Sequence, residues 1–118
     1  MKKEYVFPVL GVLFFLSAKV AFADVTISEI MYDPDGSDTN REWVEVYNDG
    51  ASSVDMTSWK FVEADTNHGL TGYSGGMTLG AGEYGIIALD AATFAGEYST
   101  SGPVFDASFS LINSGGET

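Results

Sequence analysis

The sequence predicts an all-β sandwich over residues 24–118, and three observations carry the prediction. No helical period lasts beyond a turn or two after residue 23. Short β-branched and aromatic stretches alternate instead with clusters of Gly, Asp, Asn and Ser, the punctuation of strands and turns. The chain carries 14 Gly in 118 residues but no Cys, so its turns are not those of a disulfide-stapled scaffold.

Residues 25–32 read as the first strand, with Val25, Ile27, Glu29 and Met31 on one face. It stops at Asp33-Pro34-Asp35-Gly36, where proline removes a donor and glycine permits positive φ. Residues 42–48 form the second strand, with Val44 and Val46 facing inward and Trp43, Glu45 and Tyr47 outward. Asn48-Asp49-Gly50 turns the chain, and Val54 and Met56 sit as apolar plugs beneath the following connection. A third strand, 58–63, places Trp59 and Phe61 at the expected heart of the core. A polar, Gly-rich loop fills 64–76, with a weak strand at 70–73. After Gly80-Ala81-Gly82, the apolar run at 84–89 reads as a central strand. Asp90 caps one or two helical turns through Phe94.

Residues 105–112 are extended again, and Asn113-Ser114-Gly115-Gly116 turns them towards Glu117-Thr118. A strand and a tight turn normally reverse into a partner strand. The sequence is therefore expected to be the N-terminal piece of a longer chain, with a turn that simply caps the C-terminus as the alternative. An edge beside Phe109, Leu111 and Ile112 is expected to lie open to self-association.

The first 23 residues read as an address. Lys2 and Lys3 precede an apolar run of 11 residues at 6–16, and Ala21-Phe22-Ala23 carries small residues at the spacing a signal peptidase reads. Cleavage between Ala23 and Asp24 is expected, giving a secreted, periplasmic or cell-surface product. The run falls short of the roughly 20 residues of a spanning helix, so none is expected in the mature chain. An uncleaved anchor is the alternative.

Charge narrows the partners. Five Lys+Arg against 17 Asp+Glu give a formal net charge of −12, and beyond residue 23 the basic residues are Arg41 and Lys60. Phosphate backbones are gripped by clustered Lys and Arg, so nucleic acid is not expected as a partner. Absent Cys removes thiolate zinc sites and thiol nucleophiles, and His68 is the single histidine.

Five segments together resemble the lamin-tail domains of bacteria. They are Ile27-Ser28-Glu29-Ile30-Met31-Tyr32-Asp33-Pro34, Glu42-Trp43-Val44-Glu45-Val46-Tyr47-Asn48, Val54-Asp55-Met56-Thr57-Ser58-Trp59, Leu79-Gly80-Ala81-Gly82-Glu83-Tyr84 and residues 109–117. The resemblance covers the chain from about Val25 onward. It implies an immunoglobulin-like β-sandwich of around seven strands in two sheets, of which the last one or two are expected to follow Glu117. It also implies a non-catalytic module of exported or cell-surface proteins, often joined to other domains, including secreted hydrolases and nucleases.

Three groups of residues are candidates for a site. Asp33, Asp35 and Asp38 lie in a stretch of four carboxylates within ten residues, a composition suited to a calcium ion. Gly36 stands fourth and Ser37 fifth in that stretch, unlike an EF-hand loop, and the plainer alternative is a solvated acidic turn. Trp43 and Tyr47, alternating onto the outer face, suit stacking on a sugar ring or a protein partner, with burial under a loop as the alternative. Glu29 is expected partly buried in a structural role, and His68 solvated in its loop. No residues compose a nucleophile–base pair or a phosphate loop, so no catalysis and no obligatory cofactor is expected. The expected function is a secreted or surface binding and architectural module for protein or glycan. A calcium- or carbohydrate-binding accessory domain of an exported hydrolase or nuclease is the alternative.

Overall fold

The extended segments assemble into one five-stranded sheet and two short two-stranded sheets, in a computed structural model that describes residues 24–112. The leader expected at 1–23 and the turn expected at 113–116 lie outside the described residues. In chain order the elements are β1 (Val25–Met31), β2 (Trp43–Asn48), β3 (Val54–Asp55), β4 (Lys60–Glu63), β5 (Thr66–Gly69), β6 (Thr71–Ser74), β7 (Thr78–Leu79), β8 (Tyr84–Ala88), helix α1 (Ala91–Glu97) and β9 (Val104–Asp106). The large sheet runs β1-β2-β8-β9-β6, while β3 pairs with β7 and β4 with β5. All pairings are antiparallel except β8–β9, which is parallel and bridged by α1. The fold is an all-β sandwich in which the two small sheets form the second layer.

Alternation along β2 sets the layers. Val44 and Val46 face the small sheets and join Val54, Met56, Leu79, Ile87 and Phe105 in the main core. Trp43 faces the other way, with Ile86, Ala88 and Val104, into a second core roofed by Ala91 and Phe94 of α1. The apolar run at 84–89 is accordingly a central strand buried on both faces. Its Gly85 lets the layers approach closely: a β-carbon there would stand 3.1 Å from Leu79 Cδ1, which would have to give way. Asp90 caps α1 as expected, its Oδ1 accepting from the Thr93 N–H, and Asp106 Oδ2 accepts from the Ala91 N–H.

Three expectations are corrected. Trp59 is not core: it is 38% exposed, and Phe61 is only half-buried. The Trp59 N–H bonds back to the Met56 carbonyl at 3.1 Å, so Trp59 closes a turn before β4 begins and Met56 fills the centre. The loop expected at 64–76 holds β5, which closes a hairpin with β4, while the weak strand expected at 70–73 is present as β6. The two-residue turn of the hairpin is Ala64-Asp65, both at positive φ (48° and 62°), a conformation that Gly or Asn would have announced in the sequence and Ala conceals. Finally, of 105–112 only residues to Asp106 lie in a strand. The rest is irregular, yet Ala107, Phe109 and Leu111 are buried at alternate positions.

Asn48, at the end of β2, is fully buried and joins the layers. Its Nδ2 donates to the Ser52 and Leu79 carbonyls (2.8 and 3.0 Å), and its Oδ1 accepts from the Gly50 N–H. Its backbone N–H and C=O engage Glu83 and Gly82. Replacing it with Ala strands the buried Leu79 carbonyl, at about 1–3 kcal/mol for a buried group without a partner, and also removes the bonds to the Ser52 carbonyl and the half-buried Gly50 N–H. Asn48→Ala is therefore expected to destabilise the chain by at least ~2 kcal/mol in urea unfolding, whereas Asp49→Ala, at an exposed neighbour, is expected to change stability by under ~0.5 kcal/mol.

Candidate functional site

Among the described residues β1 is an edge strand, hydrogen-bonded to β2 on one side only. Its ladder slips between Ile27 and Glu29, so Ser28 bulges out; Ile27 pairs opposite Val46 and Ile30 opposite Val44. The slip turns Ile27 and Ile30, three residues apart, onto the same inward face as Val25. It sends Glu29 and Met31 to the other face, beside Glu45 and Trp43. This corrects the simple alternation expected for the strand, and it corrects Glu29, which is exposed. Ser28 uses the bulge to donate to Glu45 Oε1 at 2.9 Å.

Among the described residues nothing covers the inward face of β1. Ile27 and Ile30 are 54% and 48% exposed although they point towards the core layer. They form one wall of a trough whose other wall is β4, with Trp59, Phe61 and Val62. The wider part of the trough has a volume of about 240 Å³ and reaches down to Val46 and Met56. The narrower part, about 60 Å³, ends against Val44 and Leu111. Among the described residues β4 pairs only with β5, so strand edges without a described neighbour belong to both walls.

Two buried carboxylates stand at this end of the trough: Glu63 lines it, and Glu42 bonds Leu111, which also does. Glu42 Oε1 accepts from the Leu111 N–H at 3.1 Å, and Glu63 Oε1 from the Ser110 N–H at 2.9 Å. Between them they hold segment 107–112, which has no ladder of its own, while Phe109 packs edge-on against Phe61 with centroids 4.9 Å apart. Burial pushes the Glu42 carboxyl above the ordinary glutamate range. The Leu111 N–H opposes that shift, and the charges of Asp38 and Glu63 add to it. The sequence carries no signal of this clip, because Glu42 and Glu63 both read as strand-end carboxylates. His68, expected in solvent, is half-buried, and its Nε2 lies 4.0 Å from Glu63 Oε2 without a hydrogen-bond partner.

The remaining candidates divide. Trp43, expected on the outer face as a stacking residue, is 7% exposed. Helix α1 lies over that end of the face, and Phe94 and Tyr98 both meet the Trp43 ring edge-on at 5.6 Å. Tyr47, beyond the helix, is half-buried and stacks at a tilt on exposed Tyr84, centroids 4.5 Å apart. Asp33, Asp35 and Asp38 do not converge. Among the described residues no three His, Asp or Glu side chains are grouped to hold a metal ion. Arg41 organises their loop instead. Its Nη1 donates to the Asp35 and Ser37 carbonyls (2.7 and 2.6 Å), and its Nε pairs with Glu97 at 2.9 Å, tying the loop to α1.

A family model described as Lamin Tail Domain matches residues 19–118 of this chain. No curated protein and no solved structure matches it.

Two outcomes are expected from this geometry. Because the folded-state pKa of Glu42 is raised, its ionisation opposes folding; the cost is absent at low pH and grows as pH rises above the ordinary glutamate range. Glu42→Gln keeps a carbonyl for the Leu111 N–H and removes the charge. It is expected to raise the thermal midpoint at pH 8, with the advantage shrinking in melts at pH 4.5. With the Asp35 and Ser37 carbonyls engaged by Arg41, millimolar calcium is expected to leave the melting temperature unchanged; a rise with concentration would show binding to the folded state.

Proposed function

The chain belongs to the lamin tail domain family, and we propose that it is a non-catalytic binding and architectural module of an exported protein, holding partners by letting an extended segment join β1. The family's fold is an immunoglobulin-like β-sandwich, typically without catalysis. What supports the finer reading is one observation: an edge strand with free main-chain groups runs along an apolar trough that its own side chains leave half-covered. Strand addition uses those two resources together, main-chain hydrogen bonds for affinity and pockets for alternate side chains for selection. The opposite edge, β6, offers less, since all four of its residues are exposed.

Export rests on the leader. Its removal between Ala23 and Asp24 leaves a chain whose excess negative charge keeps it dispersed. The exported product is accordingly expected to begin at Asp24, read by N-terminal sequencing. Strand addition is expected to slow amide exchange at residues 25–31 when a neutral peptide of alternating Val and Ser is added, with no change at β8. Exchange at 25–31 unaffected by saturating peptide would overturn the reading.

A further inference from the structure

The outer face of β1 carries information that the trough does not. Glu29 and Glu45 are directly opposite each other in the β1–β2 ladder and point to the same face. Like charges in that relation are destabilising. Among the described residues neither is in an ion pair, since the bridges present are Arg41–Glu97 and His68–Glu63. Lys60, on the other wall of the trough, sits opposite Gly69 in the β4–β5 ladder. Its Nζ lies over that glycine, 3.5 Å from where a β-carbon would stand. The edge therefore presents an apolar inner face and an unneutralised acidic outer face on the same three or four residues.

We propose that the partner of β1 is an extended segment of another polypeptide that is amphipathic in the complementary sense, with apolar side chains turned into the trough and Lys or Arg on the outer face beside Glu29. This rests on the strand-addition reading above and adds to it the charge of the partner. A strand laid on β1 places its residues alternately on the two faces, because side chains alternate at every step. The residue opposite Glu29 extends the row that already holds Glu45 and Glu29, and a cation there relieves both carboxylates. Residues one step either side face Ile27 and Ile30. The Ser28 bulge limits regular pairing to the short runs on its two sides, which selects against long flat strands. A second copy of this chain fits poorly. It would bring its own Glu29–Glu45 pair to the same face, and each copy carries a formal charge of −12.

The test uses three dye-labelled peptides on the full chain, read by fluorescence anisotropy at low and high salt. All have Val at alternate positions, and the intervening positions are Lys, Ser or Glu. The Lys peptide is expected to bind about three- to tenfold more tightly than the Ser peptide at low salt, and the Glu peptide more weakly than either. High salt and Glu29→Gln are each expected to close the gap between Lys and Ser peptides. Ile30→Lys is expected to abolish binding of all three. Equal affinity for Lys and Ser peptides, with Ile30→Lys still abolishing it, overturns the charge assignment and leaves strand addition standing. Binding of none overturns both. A concentration-dependent dimer in sedimentation that Ile30→Lys dissolves overturns the heterologous partner in favour of a second copy.

Discussion

The relation between the two layers depends on one buried carboxamide. Asn48 ends β2 in the large sheet, yet its side chain bonds the Leu79 carbonyl of β7 in the small one and the 50–52 turn between β2 and β3. An amide buried without partners costs several kcal/mol, so a position that satisfies both its ends is satisfied in very few arrangements. Fixing that arrangement fixes where β3 and β7 lie above β2 and β8. It thereby decides that Val44, Val46, Ile87 and Phe105 share one core with Met56 and Leu79. Everything on the trough side follows from it, because the trough is the part of the large sheet that the small sheets, so placed, fail to cover.

The carboxylates at the end of the trough work in the same way at greater cost. Segment 107–112 has no neighbouring strand to receive its N–H groups at Ser110 and Leu111, and Glu63 and Glu42 supply the acceptors. A carboxylate accepts more strongly than a carbonyl, but burying it beside another is unfavourable. The hydrogen bonds hold the segment while the desolvated charge of Glu42 works against the fold. The apolar alternation of Ala107, Phe109 and Leu111 supplies the remaining attachment.

How far the sequence discloses this structure depends on whether a feature is written in local residue types. The run at 84–89, the Asp90 cap and the plugs Val54 and Met56 are legible because hydrophobicity or capping chemistry specifies each where it stands. The Ser28 bulge is not legible. A one-residue slip reverses every side chain beyond it, and neither Ile27 nor Glu29 signals that the ladder has shifted. The Ala64-Asp65 turn lacks the Gly or Asn that its backbone favours. Trp43 and Trp59 exchange roles for a non-local reason: α1, about fifty residues later in the chain, roofs the first, while no described element roofs the second. Of the site, the acidity was plain in the composition. The trough was not, since it is a property of which strand lies at the edge.

The position of β9 has a kinetic consequence. Three residues, Val104–Asp106, lie between β8 and β6, parallel to one and antiparallel to the other, so β6 reaches the sheet only through them. β6 is made about thirty residues before β9, and during synthesis it emerges without its neighbour. The β4–β5 hairpin and the β1–β2 pair can form from sequence-local contacts in that interval, but the sheet cannot close across its middle. Assembly is thus gated by the arrival of the last strand described, and a chaperone engaged before then meets a hairpin and a ribbon of unmatched edges rather than a nascent sandwich.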